Sequence, residues 1–205
     1  GIYLIERGFQ PNRVIMMTLI IVDMQNDFVT GSLAVKGAEG LATKILADVK
    51  GYNYDRIFFT RDWHPKNHVS FASSWKIPPF TKNEKGEMVW PDHCIAGTEG
   101  AQIIPELQPL LLRATGIINK GMDSRFESYS ASTEGFAHMG CYPGAIGEIS
   151  IVGVAFDYCV KATAIDLAEI RHPTITVIKS LTASVNPARD IGISNLLGLK
   201  GIHVI

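Results

Sequence analysis

The sequence predicts an α/β protein of three layers, with helices on both faces of a mostly parallel, six-stranded sheet. Two observations carry that expectation. Six short apolar runs rich in β-branched residues recur along the chain, and segments with apolar residues at helical spacing stand between most of them. A third, the lack of any internal repeat, low-complexity tract or charge run, argues for one domain. The first run is TLIIVDM (18–24), followed by a helical segment GLATKILADVK (40–50) and a second run RIFFT (56–60). PELQPLLLRA (105–114) reads as a helix before GIINK (116–120). EISIVGVA (148–155) precedes YCVKATAIDLAEIR (158–171), a helix that Asp157 is placed to cap. TITVIKS (174–180), the helix PARDIGISNLLG (187–198) and GIHVI (201–205) complete the alternation.

Composition narrows the function classes. With 205 residues, 46% of them hydrophobic, the chain can bury a substantial core. A net charge of −1 without a basic run gives no footprint for nucleic acid. The longest apolar runs fall far short of the ~20 residues of a membrane span. Three cysteines with no CxxC argue against a disulfide framework and fit a reducing, cytoplasmic setting. Residues 1–16 lack the basic-then-apolar order of a secretory signal. MTLIIVDMQ from Met17 reads as a start that runs straight into a strand. The expectation is an extension over 1–16, not necessarily native, and a single domain over 17–205.

One region breaks the alternation. Residues 62–104 hold four prolines and little periodicity, yet also three tryptophans and three histidines. So long a loop in a compact domain is functional or disordered, and its aromatic content argues against disorder. It reads as a binding loop folded over the sheet edge.

Parallel α/β sheets bind ligands beyond the carboxyl ends of their strands. Asp23, the stretch around Asp62, Lys120 and Cys159 all fall at such ends. Asp23, Lys120 and Cys159 form a candidate nucleophile set, with a carboxylate to take the thiol proton and a lysine to hold the charges. Cys159 would sit near the start of a helix, a position that favours a thiolate. The plainer alternatives are a buried structural cysteine and strand-end polar groups that cap turns or face solvent.

Asp62 and His64, two apart in an extended segment, point the same way, and His93 supplies a third ligand. One carboxylate and two imidazoles suit one divalent ion, Zn²⁺, Fe²⁺ or Mn²⁺. His68 and Asp92 compete for the same role; His138, His172 and His203 have no comparable grouping. No G-x-G-x-x-G follows the first strand and no G-x-x-x-x-G-K-[ST] occurs, so nucleotide-phosphate binding has no support. Cys94 follows no strand and reads as structural.

VDMQNDF (22–28), TRDWHPKNHVSF (60–71), WPDHCIAGTEGAQ (90–102), NKGMD (119–123) and GVAFDYCVKATAIDL (153–167) occur in this order. Together they resemble the nicotinamidases of the isochorismatase-like cysteine hydrolase superfamily, from about residue 17 to the C-terminus. The resemblance implies the isochorismatase-like hydrolase fold and hydrolysis of nicotinamide to nicotinate and ammonia through a thioester, in NAD salvage, with pyrazinamide as a further substrate. It implies Cys159 as nucleophile, Asp23 as general base and Lys120 as the group holding both. Asp62, His64 and His93 would bind the metal, which holds the substrate's pyridine nitrogen. Phe28, Trp90 and Tyr129 would pack around the ring. A cis peptide between Val154 and Ala155 would aim the N–H groups of Ala155 and Cys159 at the oxyanion. Phe156 stands where relatives often carry a small or hydroxylated residue, a change that bears on the pocket floor. The segment 138–148 is also richer in Gly and Pro than expected. The implied partner is a small molecule, with no nucleic acid or membrane, and a homo-oligomer is allowed. The rivals are an amidohydrolase acting on N-carbamoyl or ureido substrates and a non-catalytic ligand-binding homologue.

Overall fold

The computed structural model describes residues 15–131, 135, 147–169 and 174–205. Residues 1–14, His138, His172 and the 138–146 part of the Gly- and Pro-rich segment lie outside the described residues. Eight strands occur among them: β1 (Met17–Val22), β2 (Arg56–Asp62), β3 (Thr81–Lys82), β4 (Met88–Val89), β5 (Gly116–Lys120), β6 (Glu148–Val154), β7 (Thr174–Ala183) and β8 (His203–Val204). Six of them form one sheet in the order β5-β2-β1-β6-β7-β8. Every neighbouring pair in it is parallel. The expected sheet is therefore present, with β7 running on to Ala183 past a register shift against β6.

Both faces of this sheet are buried, which is why its strands read as unbroken apolar runs. Successive side chains of a strand point to opposite faces. Leu19 and Ile21 of β1 enter the core on one face, Ile20 and Val22 the core on the other. Ile57 and Phe59 of β2 likewise part from Phe58.

The described helices are α1 (Asn26–Val29), α2 (Leu41–Gly51), α3 (Ala72–Trp75), α4 (Gln108–Leu111), α5 (Lys161–Ala168) and α6 (Asp190–Leu199). α2 covers the first face through Leu41, Ala42, Ile45 and Val49, spaced along one helical stripe. Ala164 and Leu167 of α5, with Ile193 and Leu197 of α6, cover the second. Three layers result.

Two elements differ from the sequence expectation. The helix over 105–114 is a 3₁₀ turn at Pro105–Leu107 followed by the short α4, because Pro109 lacks the N–H that a continuous helix needs there. Asp157 caps nothing. A wide π turn, Phe156–Val160, precedes α5, and Asp157 lies inside it, accepting hydrogen bonds from Val185 N–H and Asn186 N–H instead.

The 62–104 loop folds over the carboxyl ends of the strands, carrying α3 and the β3–β4 hairpin. Single bridges tie His64 to Ile95 and Phe71 to Trp90. At the end of β6, Gly153 has a φ of 106°, and a Cβ there would overlap the carbonyl oxygen of Val22. Only glycine lets β6 approach β1 so closely, and this brings the Cys159 turn beside Asp23. Among the described residues no helix is long and apolar enough to cross a membrane.

Candidate active site

Four strand ends supply the site. Asp23 follows β1, Asp62 closes β2, Lys120 closes β5, and the turn after β6 carries Cys159. Parallel pairing in register, with Val22 beside Thr60 and Asp62 beside Lys120, brings these ends to one edge. Asp23 adopts a left-handed φ of 48°, uncommon for a non-glycine residue, and its Oδ1 accepts a hydrogen bond from Thr60 Oγ1 at 2.7 Å.

Lys120 stands at the centre. Its Nζ lies 2.8 Å from Asp23 Oδ2, donates to Cys159 Sγ at 3.2 Å and makes a short ion pair with Asp62 Oδ1. All four side chains are buried. Burial alone would lower the Lys120 ammonium, but Asp23 and Asp62 outweigh it and hold Lys120 well above the usual lysine range. Asp62 resists its own burial through Lys120 and His64 and stays well below the usual carboxylate range. Asp23 goes the other way: burial pushes its carboxyl up, and Lys120 offsets only part of that. Burial also drives the Cys159 thiol well above its usual value, with Lys120 opposing and Asp23 adding. The helix-start expectation of a resting thiolate is therefore corrected, because desolvation outweighs the opposing Lys120 charge.

Beside this set, Asp62 Oδ2 lies 3.3 Å from His64 Nε2 and 3.8 Å from His93 Nε2. The other ring nitrogens are taken, with His64 Nδ1 on Gly121 O at 2.8 Å and His93 Nδ1 on Pro91 O at 2.7 Å. Carbonyl acceptors at Nδ1 fix the tautomer that leaves Nε2 as a lone-pair donor. His64 Nε2 is buried and makes no well-formed hydrogen bond. Against the burial that would lower it, the neighbouring Asp62 carboxylate raises the imidazole above its ordinary value, and a cation between the two would satisfy both. Ligand atoms of Asp62, His64 and His93 all lie within 4.8 Å of one another. The donor set fits a divalent ion. Burial holds His93 down at about 4, so its imidazole is neutral near pH 7, the form that ligates.

Of the two competitors Asp92 falls away, whereas His68 groups with His64 and Glu127, their ligand atoms within 4.8 Å of one another. His68 stacks on His64 with ring centroids 4.0 Å apart, but its nitrogens are engaged by Ser70 Oγ at 2.7 Å and Phe126 O at 3.0 Å. Asp92 is exposed and accepts from Ser73 Oγ at 2.6 Å. His203 is exposed on β8, away from the site.

A pocket opens over Cys159, Asp62 and His93, walled by Phe28, Leu33, Val35, Trp90, Tyr129, Tyr158 and Val185, with Ala155 and Glu127 on its lining. Trp90 Nε1 donates to Tyr129 Oη at 3.2 Å, and the Trp90 ring meets Tyr158 edge-on at 5.0 Å. The Val154–Ala155 peptide is cis. Phe156 is not on the pocket floor: it is fully buried in the core of the opposite sheet face.

Sequence reasoning missed Gln25, Tyr158, Glu127 and the pairing of Lys120 with Asp62. Gln25 is fully buried and clamps the end of β2, its amide accepting from Asp62 N–H and donating to Asp62 O, each at 2.8 Å. A polar residue in the turn that follows an apolar strand was the signal for it. Tyr158, next to the candidate nucleophile, could have been found the same way. Gly121 was passed over too, though it lies in NKGMD. With φ at 62°, a Cβ there would overlap the His64 ring. Gly121→Ala is expected to weaken divalent-ion binding ~10- to 100-fold by displacing His64, measurable by competition with a chromogenic chelator.

A parallel sheet that gathers a thiol, a lysine and two carboxylates at its carboxyl edge, beside two lone-pair imidazoles, defines an enzyme. The isochorismatase domain family model matches residues 17–196. The nicotinamidase of Saccharomyces cerevisiae is 36% identical over 199 residues, covering 86% of this chain and 92% of that protein. The yeast nicotinamidase bound to the inhibitor nicotinaldehyde superposes with a TM-score of 0.80 at 33% identity, covering 93% of this chain and 99% of the other. The pyrazinamidase of Pyrococcus horikoshii in complex with zinc gives 0.74 at 28% identity, over 92% and 98% of the two chains. The chain belongs to the isochorismatase family and is an amidohydrolase.

Proposed function

We propose that the protein, as one domain over 17–205, is a nicotinamidase: a metal-dependent cysteine hydrolase that converts nicotinamide to nicotinate and ammonia and also accepts pyrazinamide. The observation that carries this reading is one pocket that is lined at once by Cys159, by Asp62 and His93, and by the aromatic rings of Phe28, Trp90, Tyr129 and Tyr158. A flat heteroaromatic amide matches those demands. Asp62, His64 and His93 would hold the divalent ion, Zn²⁺ by preference; when bound, it supplies a Lewis-acid contact that orients the substrate's ring nitrogen.

Phe28, Trp90 and Tyr129 pack on the ring and exclude water. Asp23, pushed up by burial, is a stronger base than an ordinary carboxylate and takes the Cys159 proton. Lys120, 3.2 Å from Sγ, stabilises the thiolate as it attacks the carboxamide carbon. The N–H groups of Ala155 and Cys159 receive the oxyanion. Asp23 then protonates the departing ammonia, and water, deprotonated by Asp23, hydrolyses the thioester. A cytoplasmic place in pyridine-nucleotide salvage agrees with the free thiols of Cys94 and Cys159.

The test is ammonia release from nicotinamide by purified protein, before and after chelation and after metal is restored. Release that falls on chelation and returns with metal is expected. Release indifferent to verified metal removal would overturn the metal's role, and none from folded, metal-loaded protein would overturn the substrate.

A further inference from the structure

Asp157 is a fully buried carboxylate that the chemistry above does not use. It sits in the π turn two residues before Cys159, yet its side chain faces away from the pocket. Oδ1 accepts from Val185 N–H and Oδ2 from Asn186 N–H, each at 2.9 Å. Those amides belong to the turn leaving β7, which then enters the 3₁₀ turn Pro187–Arg189. Arg189 Nη1 is 3.9 Å from the same Oδ2, and its guanidinium carbon lies 5.4 Å from the centroid of the Tyr158 ring. Val185 and Tyr158 are both pocket wall.

We propose that Asp157 is a positioning residue that fixes the substrate slot, latching the turn after β7 onto the nucleophile turn so that Val185 and Tyr158 keep a set distance from Cys159. The proposal deepens the nicotinamidase reading and rests on it for the identity of the substrate. A backbone N–H that donates to a carboxylate makes a charge-assisted bond, stronger than a neutral one. Two such bonds from successive residues, anchored inside the turn that carries Cys159, tie wall and nucleophile into one unit. Arg189 extends the tie to the Tyr158 ring from outside. The slot width then depends on a group that never touches substrate. Rings bearing a substituent toward this wall should be rejected while the latch holds and admitted when it loosens.

Hydrogen exchange on the wild-type protein, with Asp157→Asn, Val185→Ala and the double variant, tests this. An asparagine can accept only one of the two bonds and turns an N–H toward the other donor. In the wild type the Val185 and Asn186 amides are expected to exchange as slowly as the sheet. In Asp157→Asn they should exchange at least ~10-fold faster, and Cys159 alkylation by iodoacetamide should change by a factor of ~3 or more. KM for nicotinamide should rise more than kcat falls, and ring-substituted nicotinamides should gain relative to the parent. The double variant should differ from Asp157→Asn by less than ~2-fold, because both changes act on one wall. Exchange of those two amides at exposed-turn rates, or strictly additive effects, or a lowered Tm with KM and alkylation unchanged, would overturn the latch. Should Asp157→Asn fail to fold, wild-type exchange still decides. A wild type that releases no ammonia would sink the substrate reading alone, since exchange and alkylation need no substrate.

Discussion

Cys159→Ala is expected to abolish ammonia release from nicotinamide, a loss of at least ~10⁴-fold, while metal content stays at the wild-type level. That size is the order seen when an enzyme loses its attacking atom and keeps only binding and orientation. The two readouts separate because the two groups of residues occupy different elements. Cys159 comes from the turn after β6, whereas Asp62, His64 and His93 come from β2 and the loop after it. Lys120 adjoins both groups, and it keeps its pairs with Asp23 and Asp62 when the sulfur is gone. The cavity left by one buried sulfur is small, so the variant should fold. Cys159→Ser should be nearly as inactive, because a hydroxyl beside Asp23 stays protonated far more firmly than a thiol. Metal analysis together with an ammonia assay checks this. Turnover within ~100-fold of wild type in either variant would remove Cys159 from the reaction.

The separation also explains which parts were legible in the sequence. Strands buried on both faces announce themselves as apolar runs, and parallel topology then places their following residues on one edge. Asp23, Asp62, Lys120 and Cys159 could be gathered on that ground alone. What a linear reading cannot supply is how the gathered groups share partners. Lys120 was assigned to the thiol and Asp23, but Asp62, its register neighbour across the β2–β5 pair, binds it as well. Asp62 therefore faces two ways, Oδ1 to the lysine and Oδ2 to the imidazoles. The capping role expected of Asp157 failed for a related reason. A local signal places an acidic residue before a helix, but the partners that claimed it lie 28 and 29 residues further on. The thiolate expectation for Cys159 considered the helix start without the desolvation, which only packing reveals.

Lys120→Met tests the shared arrangement most severely. Methionine nearly matches the lysine stem in length and fills its apolar path, but leaves Asp23 and Asp62 buried close together, with His64, itself raised by Asp62, as the cationic group beside Asp62. Breaking a buried pair from one side costs about 3–5 kcal/mol, and that loss is expected near pH 7 in chelated protein, along with activity. The pH dependence gives the cause away. In the wild type, Asp62 is held below its usual 3.8, so its contribution is present above about pH 4 and lost as the pH falls through the depressed value. Lys120 is raised above its usual 10.5, so its contribution is full below that value and lost only as the pH climbs past it. Asp23, raised by burial, acts in the opposite sense and softens the acid loss. In the variant Asp23 gains protons more readily folded than unfolded, and Asp62 keeps only the imidazoles against its burial, so stability falls as the pH rises from about 4. The gap between the two proteins should therefore be widest between about pH 5 and 10 and narrow toward pH 4. Urea denaturation of both chelated proteins at pH 4.5 and 7.5 measures it. An equal gap at the two values would mean that the lysine stabilises by packing, and that the charge network it centres contributes little to the fold.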